Sequence, residues 1–464
     1  MSVIANSELP AVAAPARPKG RISLRQSLRA MRENAATAYS PESFEADIID
    51  QRILWRRMFV FNDPDAIRHV VLDNAANYTK TEVGRRILEP GLGRGLLTSE
   101  GETWRHHRRI MAPAFDPRSV AGYAPIMTDV TLGLLEKWEA LPEGGDVDVA
   151  VAMMHTTLHI ISRAMFSSDS DEIVDIVEAG VNSYQTMMQP SILDFLHVPL
   201  WLTRLLIPRH TKGIFDEFDK KVDQLLTQRG RTPEAEPKDL LARLIAARDE
   251  IGGMTPKEVR DQVMTIFMAG HETTSQALSW TWYLLSQHPA VEARLHDELA
   301  AVLHGRTPRY EDLAKLPYTR MVIEESMRLY PPAHTFGRSP IVDDEVLGHR
   351  IPAGTDVLIV PWLLHRKPSL WENPDRFDPE RFAPERAAAR PRFAYLPFGA
   401  GPRICIGAVF AMAEAMLILT TIAQRYRLRR KPGHPVEPQG LITLRPRYGL
   451  RMMLERREDL RDAA

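Results

Sequence analysis

Between Thr255 and Pro289 the chain passes through Thr-Pro-Lys-Glu and then runs without another proline. As a helix this stretch of about 32 residues would span roughly 48 Å, enough to cross a whole domain. Thr255 can cap it, Glu258 can close a capping box, and Pro256 suits the first helical position. A rod of that length must be built around rather than tucked into a corner. Its middle reads Ala269-Gly270-His271-Glu272-Thr273-Thr274 directly after the apolar run VMTIFM. Glycine and two threonines weaken a helix interior. A helix that tolerates them has a functional reason, such as the close approach of a ligand.

The 464 residues contain one cysteine and carry a formal net charge of -1, from 59 basic and 60 acidic side chains. One cysteine forms no internal disulfide and cannot build a Cys-rich zinc or iron–sulfur site. The balanced charge gives no field for nucleic acid, so no nucleic-acid partner is expected. With 44% hydrophobic and 26% charged residues, the chain has the composition of a globular protein. No uncharged apolar run reaches 18 residues, so no membrane-spanning helix is expected, and nothing at the start resembles a secretory signal. A cytoplasmic protein is the expectation.

Residues 1–20 read as a flexible Pro/Ala-rich tail, and 21–464 as one domain without repeats or a linker. The apolar, aromatic ILWRRMFVF (53–61) predicts strands, and 64–77 a helix after a turn. From about Thr103 the pattern is largely helical, broken by proline and glycine at 142–145, 190, 208 and 233–237. Beyond Pro331 turns and short strands take over, with RIPAGTDVLIV (350–360) hairpin-like and 440–454 alternating like strands. The expected class is mainly α, an α+β fold with a large helical part and a smaller β-rich part.

The cysteine stands in Pro397-Phe398-Gly399-Ala400-Gly401-Pro402-Arg403-Ile404-Cys405-Ile406-Gly407. Two glycines and a proline make a tight loop. A nearly charge-free helix follows, with Glu414 its one charged residue between 406 and 424. Apolar on every face, it should be buried, and a cysteine at its N-terminus is favoured as a thiolate. Phe398, Gly401, Arg403, Cys405 and Gly407 fall at the FxxGxRxCxG spacing, so this segment resembles the haem-binding loop of the cytochrome P-450 family. The resemblance implies haem b (iron protoporphyrin IX) between two long helices, with Cys405 as the iron ligand. It also implies that Pro397, Phe398, Gly399 and Gly407 surround the sulfur and that Arg403 pairs with a haem propionate.

Three further segments match. AGHETT has the form of the family's A/G-G-x-D/E-T-T signature, which implies that Glu272 and Thr273 form an acid–alcohol pair delivering protons to bound oxygen. Ala269 would line the haem face, and Gly270, lacking a Cβ, would leave room for O2. The HExxH zinc motif fails because position 275 is serine. Glu325-Ser326-Met327-Arg328 is ExxR, and with Pro379-Glu380-Arg381-Phe382 it resembles the family's buried Glu–Arg–Arg core, a structural feature. Trp104 to Arg108 fits WxxxR, which implies that Trp104 and Arg108, with Arg338, hold propionates. A solvated basic face is the plain alternative for that cluster.

The implied activity is a soluble, bacterial-type haem monooxygenase acting on O2 and an apolar small molecule. Parts of 84–98, 184–202, 263–273, 333–337 and 440–444 would line its pocket, supplying Leu88, Leu96, Leu97, Ile266, Phe267, Ala333, Phe336, Leu441 and Ile442. The greasy 191–208 suits helix core, or a membrane-touching lip. GLGRG (91–95) is no dinucleotide loop. With no room for a fused reductase, electrons would come from a separate ferredoxin or flavodoxin-type protein. It would dock on a basic face including Arg105, Arg109, Arg425, Arg427, Arg429 and Arg430. The competing readings are a haem-thiolate peroxygenase or isomerase, and a non-catalytic haem- or ligand-binding protein.

Overall fold

The computed structural model describes residues 12–15, 24–53, 56–166, 220, 223–224, 227 and 239–457. Five helices position the site: α1 (Pro117–Glu139), α2 (Val149–Phe166), α3 (Pro256–Gln287), α4 (Pro317–Leu329) and α5 (Ala408–Ala423). The long run is one unbroken helix of 32 residues, α3. Its start is the expected capping box: the Glu258 N–H donates to Thr255 Oγ1 at 3.3 Å, and the Thr255 N–H donates to Glu258 Oε2 at 2.8 Å.

Helix α3 is buried along almost its full length, polar residues included. Its hydroxyls satisfy themselves against the helix's own carbonyls four residues back. Thr265 bonds to Asp261 O at 2.8 Å, Ser279 to Ser275 O at 2.7 Å and Thr281 to Ala277 O at 2.7 Å. Helix α2 lies against it: Phe166 stacks on Phe267 at 5.4 Å between ring centroids, and Thr157 Oγ1 donates to His271 O at 2.9 Å. By length and composition alone α2, which carries Arg163, is apolar enough to cross a membrane. In the fold it is a core helix, with Met153, Leu158, Ile160, Ile161 and Met165 buried against the rest of the protein. Helix α5 is buried from Met412 to Ala423 and packs on α1, α3 and α4.

The β part flanks this core. Strands β1 (Ile48–Ile53), β2 (Arg56–Phe61), β3 (Tyr78–Thr79), β4 (Phe336–Pro340) and β5 (Asp356–Ile359) form a sheet in the order β1-β2-β5-β4-β3. β5 runs parallel to β2 with Val357 opposite Phe59, and the remaining pairs are antiparallel. Phe59, Phe61, Ile67, Val357 and Ile359 make a second, smaller core on this sheet. A hairpin of Pro438–Gly440 and Leu444–Pro446 reaches in toward α3.

Several expectations change in detail. RIPAGTDVLIV is not a hairpin: His349–Ile351 pairs with Asp344–Val346, whereas β5 pairs with β2 and β4. Period-2 alternation marks strands but carries no partner information. The stretch 64–77 divides into a short α-helix to Arg68, a π-helical turn over His69–Asp73 and a 3-10 turn at Ala75–Asn77. Residues 12–15, assigned to a flexible tail, touch the core. The Val12 N–H donates to Asp375 O at 3.2 Å and Tyr330 Oη to Ala13 O at 2.7 Å.

The Glu–Arg–Arg network is present and buried. Arg328 grips Glu325 through two hydrogen bonds of 2.6 and 2.7 Å, and Arg381 Nε lies 3.3 Å from Glu325 Oε1. Arg328 also donates to His365 O, Pro374 O and Arg376 O at 2.7–2.9 Å. Glu325 and Arg328 are 0% exposed. Removing one partner strands a buried charge, so Glu325→Ala is expected to lose about 3 to 5 kcal/mol of stability. Denaturant unfolding of the purified variant checks this; a loss under 1 kcal/mol (about the value of a surface pair) would contradict it.

Candidate active site

The cysteine loop is held by its own backbone. The Cys405 N–H donates to Phe398 O at 2.9 Å and the Gly399 N–H to Leu396 O at 3.2 Å, closing the turn around Pro397–Gly399. Gly401 has φ +70, and a Cβ there would stand 1.8 Å from Val71 O in the π-helical turn, so no other residue fits. Cys405 precedes α5, whose N-cap is Gly407. The residue is solvent-accessible, yet the surrounding protein encloses its sulfur enough to raise the thiol above its usual range. The Gly407 N–H, which bonds to the sulfur, and the Arg108 guanidinium act the other way, in favour of thiolate.

Beside this loop lies a concentration of buried positive charge. Arg403 stacks over the Trp104 ring at 4.1 Å and pairs with Glu100. Arg338 is so desolvated, with Arg403 close by, that its guanidinium falls to about 10. Lys80 falls to about 7, chiefly through burial and then through Arg403. Lys80 Nζ donates to Leu96 O and Ser99 O at 3.1 and 2.7 Å. Glu100 is the carboxylate that acts on Lys80, Arg338 and Arg403 together. The sequence did not single out Lys80 or Glu100; neither belongs to a motif, and only the fold brings them to Arg403.

The middle of α3 shows a change of environment. Ala269 is exposed, and Gly270 and Thr273 half-buried, within a helix whose other central residues are buried. Thr273 Oγ1 donates to Ala269 O at 2.8 Å. Glu272 is 5% exposed, and its carboxyl is raised by burial, against which a hydrogen bond from Thr443 Oγ1 to Oε1, 2.6 Å long, pulls it down. His271 is buried and falls to about 4, so it is neutral. A Cβ on Gly270 would meet Ile161 Cγ1 at 3.4 Å. The Cβ position of this glycine therefore borders α2. Phe267, expected in the pocket, stacks on Phe166 in the same interface. Leu97 and Ala333 are exposed, and Phe336, Leu441 and Ile442 half-buried. The expected pocket segment 184–202 and the greasy 191–208 lie outside the described residues.

This donor set fits haem. A lone sulfur that accepts an N–H would suit a single bond to iron, and Arg338 and Arg403, with Lys80 beside them, outnumber Glu100, an excess that propionates would balance. Residues 40–451 match the family model described as Cytochrome P450. The chain belongs to the cytochrome P450 family. It is 37% identical over 408 residues to cyclooctatin synthase of Streptomyces melanosporofaciens, covering 86% of each chain. It is 36% identical to cyclooctat-9-en-7-ol 5-monooxygenase of the same organism, covering 83% of each. The crystal structure of the cytochrome P450DA heme domain superposes with a TM-score of 0.79 at 29% identity, covering 89% of this chain and 91% of that one. The expected fold is the observed one. As a P450 with relatives named as monooxygenases, the protein is an oxidoreductase that incorporates molecular oxygen.

The expected basic face is less bare than the sequence suggests. Arg105 pairs with Glu102 and Arg109 with Asp249. Arg425 pairs with Glu139, Arg427 with Glu455, and Arg429 with Glu292 and Glu455. His107, in the same basic cluster, ties its helix to α3 through Gln262 at 3.0 Å and Glu258 at 3.3 Å.

Glu414 joins the two helices of the site. Fully buried on α5, its carboxyl faces Thr274 of α3 with no hydrogen bond of normal length, and burial pushes it up to about 8. A carboxyl raised in the folded state contributes stability that is full below about pH 4.5 and is lost as pH climbs toward 8. At pH 7 that loss is on the order of 3 kcal/mol. Glu414→Gln is therefore expected to match the parent near pH 5 and to exceed it in stability at pH 8. Denaturant midpoints measured across this range give the comparison; parallel pH profiles would rule the assignment out.

Proposed function

We propose that the protein binds haem b through the Cys405 thiolate and uses O2 and electrons from a separate carrier to hydroxylate an apolar organic substrate. The observation that carries this reading is the single sulfur of Cys405 with the Gly407 N–H on it, set beside the cation cluster of Arg108, Arg338, Arg403 and Lys80. Arg338 and Arg403, with Lys80, would hold the propionates, and Trp104 would support them by stacking on Arg403. Arg108 acts on the cysteine sulfur in this arrangement, so it stabilises the thiolate in addition to any propionate contact. Bound haem supplies the activation of O2, and a thiolate ligand donates electron density that favours O–O cleavage.

The chain supplies the protons. Glu272 is buried and holds its proton to a higher pH than an ordinary carboxyl, as a proton source must. Neighbours in a helix point about 100° apart, so Glu272 and Thr273 do not share a face and a water must carry the proton between them. Thr273 Oγ1, already donating to Ala269 O, accepts from that water. Ala269 gives a small apolar surface beside the relay.

Leu88, Leu96 and Ile442, expected in the pocket, are half-buried against the core and support an apolar substrate, as do relatives named for cyclooctat-9-en-7-ol and pentalenene. A ferredoxin or flavodoxin-type carrier would dock by exchanging the internal ion pairs of exposed Arg105 and Arg109 for its own carboxylates. A cytoplasmic location accords with these partners.

Adding CO to the reduced protein should give the strongly red-shifted Soret band of a thiolate ligand, and Cys405→Ala should abolish it. A wild-type protein without that band refutes the reading. Thr273→Ala should keep haem but divert electrons from product to peroxide or water. Glu272→Gln should slow turnover about a hundredfold or more, as loss of a general acid does. Product formed per NADPH consumed, with a reductase–ferredoxin pair, measures both; robust turnover on peroxide alone would favour a peroxygenase.

A further inference from the structure

The carboxyl of Glu272 does not hang free in the core. Thr443 Oγ1 donates to its Oε1 at 2.6 Å, and both residues are 5% exposed. Thr443 sits at the tip of the Pro438–Gly440/Leu444–Pro446 hairpin, and that hairpin is fixed from several directions. Trp280 Nε1 donates to Leu444 O at 2.9 Å, and the Leu444 N–H donates to Pro332 O at 3.0 Å. His334 Nε2 lies 2.8 Å from Leu441 O, and the Gly440 N–H donates to Asn34 Oδ1 at 2.8 Å. The Leu441 N–H closes the tip on Thr443 O at 3.1 Å. The hydroxyl is thus a fixed point against which a side chain with three rotatable bonds is held.

We propose that Thr443 is a positioning residue: its hydroxyl locks the Glu272 carboxyl in the orientation from which it exchanges its proton. This rests on the reading of Glu272 as the proton source. Holding one rotamer removes the freedom of a long side chain, which would otherwise oppose each transfer. The same bond favours the ionised carboxyl and offsets part of the burial, so the acid can release its proton and not merely keep it. The charged neighbour on the hairpin is Arg445, which acts in the same direction. On α3 itself His271 is neutral and turned to Phe267 O. From α2 it is the Thr157 hydroxyl that reaches this turn, at His271 O, and from α5 Glu414 faces Thr274. The Thr443 hydroxyl thus donates directly to this carboxyl from a fixed hairpin, and a substitution that removes only the hydroxyl tests the contact.

The test uses the haem-loaded protein. The infrared C=O stretch of protonated Glu272 is identified by its disappearance in Glu272→Gln and followed against pH. In Thr443→Val, nearly isosteric but without the hydroxyl, the protonation midpoint should rise by about one pH unit, the size of one lost hydrogen bond. Thr443→Ser should return it to the parent value. Product formed per electron should fall in the valine variant and recover in the serine variant. A midpoint unmoved by Thr443→Val, or a serine variant that behaves like valine, would overturn the proposal. If the midpoint moves as expected while Glu272→Gln stays fully coupled, the hold on the carboxyl stands and the role of Glu272 as proton source falls.

Discussion

Glu325 is a buried carboxylate whose oxygens are claimed by Arg328, Arg381 and the Asp378 N–H. A charge so far from water is tolerable only if every ligand is in place, and each ligand fixes a different piece of chain. Arg328 draws in three carbonyls, one of them that of His365. The His365 ring, held neutral by burial and the nearby arginines, accepts the Leu396 N–H at 2.9 Å. Leu396 opens the turn whose next members cradle Cys405. One ion pair is thereby connected, bond by bond, to the orientation of the sulfur.

The second organising element is the long helix, which crosses the protein with a polar centre. Its hydroxyls bond to its own carbonyls, so burial leaves few demands on neighbours. That economy is broken at Glu272, which reaches out of the helix to the Thr443 hairpin. In the same turn Gly270 faces Ile161 of α2. With α2 on one side and the carboxyl tethered on another, Ala269 and Thr273 fall where the helix is exposed.

How much of this could be read in advance follows the range of the interactions. The capping box, the glycine loop and ExxR are local patterns with fixed spacing, and the structure contains all three as bonded units. Lys80, Glu100 and Thr443 carry no local signal; each matters through a partner brought close by the fold. Gly270 was visible, but its neighbour Ile161 was not, because a missing Cβ does not say what lies beside it. The arginines of the supposed basic face were also visible, while most of the carboxylates that pair with them lie far off in sequence, as Glu139 does from Arg425; Glu102, three residues from Arg105, is the local exception.

The ends of the described chain are sewn into its middle and to each other. Asn34 exchanges hydrogen bonds with Pro438 and Gly440, more than four hundred residues away, in the hairpin that carries Thr443. Contacts of such separation are slow to form, because the loop between them must be closed first. On the ribosome, the region around Glu272 stays incomplete until the hairpin of residues 438–446 has emerged. Until then the flanks of α3 that this hairpin covers, Trp280 among them, stay open to water, the kind of transient exposure that invites misassociation during folding.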